Sequence, residues 1–514
     1  MKTLRFTGDP CLMLLCFAAF AVTACGQREQ AAPEAVDEGA AMEMAMSDKV
    51  PVTTSSDEAR AYYEEGLALA DNLHAVEANQ KFAQAVQADP GFAMGYLRLA
   101  QTSQSAAAFF KAVGQAEANM ANASDGEQLY IRALIAAAEN DQAAQQEALG
   151  KLLSMYPKDE RTHMALANYQ NGQQNFAEAA KHYGHATSIN PEFATAWNSL
   201  GYARRSAGDL DGAKEAFQRY IELIPDEANP YDSYAELLME MGEYDESIAN
   251  YRKALKIDPH FQSAYAGISI NESLKGNAEA AQAATEEMMA AARTDGEKRA
   301  ALFQSAAAHL FAGYSDQAMD VAEELYAMAK EQGNLAAMGG IAEYMGDIMA
   351  VSGDGAGALE YYDLALKNLQ ESSINDANKE QAKRTHMFKS AIAAIVDDDI
   401  ETATARAAEY TAAAEANGTA FEKRRIHELA GYIAGSNGDN KTSAAELAQA
   451  NQLDPIVLYW QAVANREIGN TDKAAELATR AAYRNTLSAN LPMFRDEAIT
   501  LLEELESGEE MEAE

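Results

Sequence analysis

The chain has 514 residues, too many for one ordinary core, so several domains or a repeat array are expected. Apolar residues make up 48 % and charged residues 23 %, with alanine, leucine and glutamate abundant and only 11 prolines, a composition that points to an all-helical protein. The net charge of −39 repels nucleic-acid phosphates and offers no attraction to anionic headgroups, which excludes nucleic-acid binding and any basic membrane face.

The amino terminus reads as an export segment. Lys2 and Arg5 give a basic start, an apolar stretch runs from Cys11 to Val22, and small residues follow. The stretch is shorter than the roughly 20 apolar residues that span a bilayer as a helix. Val22-Thr23-Ala24-Cys25-Gly26 resembles the bacterial lipobox, in which a diacylglyceryl group is attached to the cysteine before cleavage. The resemblance implies a signal peptide over 1–24 and a lipidated Cys25 as the first mature residue. Several acyl chains together give stable anchoring. Gly26 is not the aspartate that often marks inner-membrane retention, so the outer membrane is favoured.

All three cysteines, Cys11, Cys16 and Cys25, lie in the first 25 residues. The body therefore has no disulfide framework, cysteine metal site or thiol nucleophile. Residues 25–56 lack helical periodicity and mix Pro, Ala, Glu, Gly and Ser, the composition of an acidic tether. About 30 flexible residues span roughly 30 Å.

Beyond the tether a repeat is plain. Pro157, Pro191, Pro225 and Pro259 recur at one fixed interval, and Gly208, Gly242 and Gly276 keep it. So do Tyr183, Phe217 and Tyr251, and Ala186, Tyr220 and Ala254. The best copy, 194–225, carries Trp197, Leu200-Gly201, Ala213, Phe217 and Pro225, and so resembles the tetratricopeptide pattern W-x₂-L-G…A-x₃-F…P. The interval matches that pattern's period of about 34 residues. The copy departs from the pattern at Arg204, where tyrosine is usual. The resemblance covers 59–92 and 160–259. It implies an all-α fold, a right-handed α-solenoid of tetratricopeptide-type helix-turn-helix repeats, in which no copy buries its apolar face alone.

The stretch between Pro90 and Pro157 falls just short of two such intervals, and a degenerate pair is expected there with helices near 94–121 and 125–156. After Pro259 the register blurs. An N-terminal array over 57–292 and degenerate, longer repeats over 293–505 are expected, with turns at Gly353-Asp354, Asp397-Asp398-Asp399, Gly438-Asp439 and Gly469-Asn470. Residues 506–514 read as an acidic tail.

Catalytic chemistry finds no foothold. The eight histidines are scattered, and only His182 and His185 share a helix face, which leaves a metal without a third ligand. Gly353 to Gly357 lacks the lysine and preceding strand of a phosphate loop, and no hydrolase motif occurs. The expectation is a non-enzyme with no cofactor and no metal.

Tetratricopeptide arrays recognise extended peptides or helices on a concave face lined by the first helix of each pair, at positions 2, 5, 9 and 12. That resemblance points to Arg161, Asn168 and Asn171, to Asn198, Tyr202 and Arg205, and to Asp232 and Glu236 as the partner-binding set. Arrays that clamp a C-terminal carboxylate use lysine at position 5, where this chain has Met164 and Asn198. The expected function is a membrane-anchored scaffold that binds protein or peptide partners in the cell envelope. The alternative is a glycan- or small-solute-binding lipoprotein partner of an outer-membrane transporter; such proteins bear exposed loop aromatics, and this chain has two tryptophans, Trp197 and Trp460.

Overall fold

Alanine-rich segments broken at short, regular intervals by Gly-Asp or Gly-Asn pairs have one economical solution, the antiparallel helix hairpin, and the described residues adopt it repeatedly. The structure is a computed structural model that describes residues 48–103, 106–139, 141–483 and 494–507. The described residues hold α-helices and no strand. The first hairpin pairs α1 (Asp57–Asp71) with α2 (Ala75–Ala88); α3 (Ala93–Gln101) and α4 (Ala106–Asn119) follow, then α5 (Asp125–Ala138) and α6 (Gln142–Met155). Next come α7 (Glu160–Gly172) with α8 (Phe176–Ile189), α9 (Ala194–Ser206) with α10 (Leu210–Leu223), α11 (Ala228–Glu240) with α12 (Tyr244–Ile257), and α13 (Gln262–Leu274) with α14 (Ala278–Ala291). Longer pairs succeed them: α15 (Asp295–Phe311) with α16 (Ser315–Glu331), α17 (Leu335–Val351) with α18 (Gly355–Glu371), and α19 (Asp376–Val396) with α20 (Ile400–Asn417). The chain closes with α21 (Ala420–Ser436), α22 (Asn440–Leu447), α23 (Pro455–Glu467), α24 (Thr471–Ala482) and α25 (Arg495–Ser507).

Several of the hairpin turns combine two devices. A residue in the left-handed region reverses the chain, and the side chain after it caps the next helix. Gly208, Gly353 and Gly438 have φ of 85°, 82° and 77°. Asp209, Asp354 and Asp439 then accept from the backbone N–H groups of Gly212, Gly357 and Thr442. Asp398 takes the left-handed place without glycine, at φ 58°, and Asp399 caps Thr402. Within a hairpin, small residues let the helices approach: a β-carbon on Gly201 would lie 2.6 Å from the Phe217 ring, and one on Gly346 2.5 Å from Tyr362.

Between hairpins a second tie recurs at the fourth pattern position. Trp197 Nε1 donates to the Pro191 carbonyl at 2.9 Å, Tyr231 Oη to Pro225 at 3.0 Å, and Tyr265 Oη to Pro259 at 3.1 Å. The proline ends one repeat, and its free carbonyl is taken by the first helix of the next.

Two expectations need correction. The helices near 94–121 and 125–156 are each divided by a turn, so the degenerate stretch holds two complete hairpins, α3–α4 and α5–α6. The tether also ends sooner than residue 56. The Val50 N–H donates to Asp159 Oδ2 at 2.8 Å, the Thr53 N–H to Glu127 Oε1 at 2.7 Å, and Thr54 Oγ1 to Asp89 Oδ2 at 2.6 Å. Val50 and Val52 pack on the buried cluster that includes Tyr63, Phe82 and Phe92. These bonds run to carboxylates distant in the chain, so they leave no periodic trace in sequence.

The chain divides into two compact units whose boundary falls between Leu237 and Leu238, inside α11. In the first unit the tip of the α1–α2 hairpin is tied to later repeats. Arg161 holds Asp71 with two hydrogen bonds, at 3.0 and 2.6 Å, and Thr195 Oγ1 donates to the Asp71 carbonyl. In the second unit the last helix returns to the first: Arg495 donates to the Leu274 carbonyl at 3.2 Å and to Tyr244 Oη at 3.1 Å. Its interior also contains charge, with Lys389 bonded to Asp347 at 2.7 Å and both side chains buried. Cys25 and the residues of the expected leader and acidic tail 508–514 lie outside the described residues. Among the described residues no helix is long and apolar enough to cross a membrane.

Candidate partner-binding face

The first helices α7, α9 and α11 carry the eight residues expected to meet a partner. The structure distributes them unevenly. Arg161 is committed to Asp71 and also lies over the Phe193 ring, 5.0 Å from its centroid. Asn168 and Asn171 are exposed, and Asn168 Oδ1 accepts from Tyr183 Oη at 2.6 Å, tying first helix to second. These residues brace the array at least as much as they face solvent.

The other five belong to adjacent helices, and a network links three of them. Tyr202 on α9 stands edge-on to Phe217 and donates its hydroxyl to Ser233 Oγ on α11 at 3.1 Å. The Arg205 guanidinium lies 4.8 Å from the Tyr202 ring centroid and reaches Glu236 at 3.0 Å. Burial, and then the charge of Glu236, push the Tyr202 phenol well above its ordinary range. Ser233 also approaches Asn229 Oδ1 at 3.5 Å, which accepts from Tyr220 Oη at 3.1 Å.

Two acceptors in this region are left without a donor. Asn198 Oδ1 and Asp232 Oδ1 are buried and make no hydrogen bond. They occupy the same position of successive repeats. Burial and then the like charge of Glu236 raise the Asp232 carboxyl well above the usual carboxylate range. Such oxygens cost free energy where they stand, about 1–3 kcal/mol each. An incoming N–H or ammonium group removes that cost.

Sequence reasoning missed Asp71 and Ser233, the partners of Arg161 and Tyr202. Neither lies at a pattern position facing the groove, and tertiary pairing over 90 residues has no local signal. An open cavity of about 790 Å³ between α5 and α6, lined by Gln128, Arg132, Glu147 and Lys151 among others, includes none of the eight.

Stacked helix hairpins joined in this way define a repeat protein. Models of the tetratricopeptide repeat match residues 194–227 and, as a TPR repeat, 235–268, so the chain contains tetratricopeptide repeats. It is 32 % identical over 111 residues to Hsp70-Hsp90 organizing protein 1 of Glycine max, covering 20 % of this chain and 19 % of that one. It is 28 % identical over 107 residues to the CTR9 homolog of Arabidopsis thaliana, covering 20 % and 10 %. The chain thus spans a fifth or less of the length of these relatives. Among solved structures it is similar to a tetratricopeptide repeat protein from Parabacteroides merdae, at 15 % identity and a TM-score of 0.38, covering 51 % of this chain and 99 % of that one. YrrB, a TPR protein with an unusual peptide-binding site, is similar at 14 % identity and a TM-score of 0.28, covering 43 % and 96 %.

Proposed function

We propose that this protein is a non-catalytic scaffold of the bacterial envelope, lipidated at Cys25 and favoured for the outer membrane, that binds protein or peptide partners on the first-helix face of α9 and α11. The observation that carries this reading is the pair of unsatisfied acceptors, Asn198 Oδ1 and Asp232 Oδ1, beside the Tyr202–Arg205–Glu236 network. A face whose buried acceptors lack donors suits a partner that supplies them on entering, either peptide N–H groups or a basic side chain. The organizing role printed in the soybean relative's name supports the scaffold class; its own partners are not carried over. The anchor rests on the sequence Val22 to Gly26.

One experiment tests both parts. The chain is crosslinked in its host and captured, as wild type and as the triple variant Asn198→Ala, Tyr202→Ala, Arg205→Ala. A small set of envelope proteins is expected with the wild type and lost with the variant, whose helical melt is checked in parallel. Capture that survives the triple change removes this face from the reading. Fractionation of Cys25→Ser is expected to show release into the soluble fraction, and retention in the membrane would remove the lipid anchor.

A further inference from the structure

Three histidines that are remote in sequence meet in the hairpin α7–α8. His163 belongs to α7, and His182 and His185 lie one turn apart on α8. His163 Nδ1 is 3.3 Å from His182 Nδ1. The His185 ring lies 5.1 Å from that of His163 and 6.2 Å from that of His182, centroid to centroid. The repeat ladder itself fixes the tautomer of His163. It stands one repeat interval before Trp197, at the position where Trp197, Tyr231 and Tyr265 each donate to a proline carbonyl. His163 Nε2 makes the same contact with the Pro157 carbonyl at 3.0 Å. In the sister repeats only the side chain can be the donor, since indole and phenol face a carbonyl. By the same geometry the His163 proton sits on Nε2, and the Nδ1 lone pair points at His182.

We propose that His163 Nδ1, His182 Nδ1 and the His185 imidazole form a site for a borderline divalent transition metal, zinc above all. Two nitrogens bound to one tetrahedral zinc at about 2.0–2.1 Å lie about 3.3 Å apart, the spacing already present between the two Nδ1 atoms. The Nε2–H bond to a backbone carbonyl is the outer-shell contact that orients a ligating histidine. Among the described residues no three His, Cys, Asp or Glu side chains stand ready around an ion. The third ligand therefore arrives by rotation of His185, which is exposed, while His163 is buried and His182 half-buried. Burial comes first among the causes that hold His163 and His182 below the usual histidine range, which favours the neutral, ligating form. Imidazole ligands suit zinc, copper and nickel better than calcium or magnesium. The same two α8 positions in the next two repeats hold Ala216 and Arg219, then Asn250 and Lys253, so the site belongs to one hairpin. A bound ion would clamp α7 to α8.

The test is titration of the full chain with zinc chloride, followed by cobalt chloride as a spectroscopic substitute. One saturable zinc site is expected, with the visible bands of a tetrahedral nitrogen site on cobalt loading. His163→Tyr is the decisive variant. It keeps the bond to the Pro157 carbonyl, as Tyr231 and Tyr265 do, and so preserves the fold while removing a ligand. Its zinc affinity is expected to fall by at least about tenfold, and that of His182→Ala likewise. Equal affinity in His163→Tyr and wild type would assign the zinc to surface carboxylates and overturn the proposal. Absence of saturable binding to the wild type would overturn it outright, leaving a histidine–histidine hydrogen bond.

Discussion

The two units use the same hairpin, and one buried acid in each, Asp347 and Asp232, meets opposite surroundings. In residues 238–507 the carboxylate of Asp347 accepts from the Lys389 ammonium and the Tyr362 hydroxyl, both at 2.7 Å, so the chain supplies its own counter-charge. In residues 48–237 the acid of Asp232 meets burial and the like charge of Glu236, and the nearby Arg205 is spent on Glu236 instead. Helix length changes too, but within the second unit. Helices of 13 or 14 residues dominate from α5 to α14, and helices of 17 to 21 residues from α15 to α21. Longer first helices carry more inward positions, and these are filled by Tyr344, Phe388 and Lys389, all fully buried. Both units keep buried polar atoms without partners, the second oxygen of Asp347 among them. The partner face is proposed on α9 and α11 because Asn198 and Asp232 lie beside the Tyr202–Arg205–Glu236 network.

The largest effect should come from breaking the internal pair. Lys389→Met strands a buried carboxylate and is expected to destabilise its unit by about 3–5 kcal/mol, read from the urea midpoint. The double change Asp347→Leu, Lys389→Met should recover most of that loss, because paired burial of charge gains little over apolar packing. Wild type and double variant should also diverge with pH. Burial pushes the Asp347 carboxyl from 3.8 up to about 7, against the opposing pull of Lys389. The native state therefore holds this proton more firmly than the unfolded chain. The stability it contributes is present below about pH 4 and is lost as pH rises to about 7. Urea midpoints across that window should fall more steeply in the wild type than in the double variant; parallel slopes would show that Asp347 is not the group responsible.

The converse holds in the first unit. Asp232→Leu removes an acid whose buried Oδ1 has no donor, so stability is expected to stay level or rise by about 1 kcal/mol while partner capture falls. A loss of several kcal/mol would mean that Asp232 is paired internally after all, and the contrast between the two acids would fail.

The sequence made the fold legible wherever a residue type recurs for a steric reason. Prolines at the repeat interval mark ends of second helices, and Gly201 opposite Phe217 marks close approach. Even in the degenerate half, the turn marks at Gly353, Asp398, Gly438 and Gly469 all hold positive φ. What stayed hidden is what has no period. The strap at 48–56 and the Asp71–Arg161 pair join residues far apart in the chain through single contacts. The candidate face was legible only as a set of positions. That Asn198 and Asp232 lack donors, while Arg161 is already engaged, depends on which side chains neighbouring helices present. His163 was within reach, since one repeat interval counted back from Trp197 lands on it, but a histidine among aromatics does not stand out in composition.

The smallest effect probes the turn ladder itself. Gln174 aligns with Gly208, Gly242 and Gly276, and it holds φ of 62° where they hold 85°, 78° and 77°. A side chain in the left-handed region costs roughly 1–2 kcal/mol, and glycine gives back part of that through its freer unfolded chain. Gln174 is exposed, so its side chain contributes no packing to lose. Gln174→Gly is therefore expected to stabilise the first unit by about 0.5–1 kcal/mol, as a small rise in its urea midpoint. The matching change Gly208→Gln should cost at least as much, because it imposes the same strain on a turn that now avoids it. If both substitutions leave the midpoint unmoved, glycine at this position reflects something other than backbone conformation, and the steric reading of the periodic glycine ladder would have to be given up.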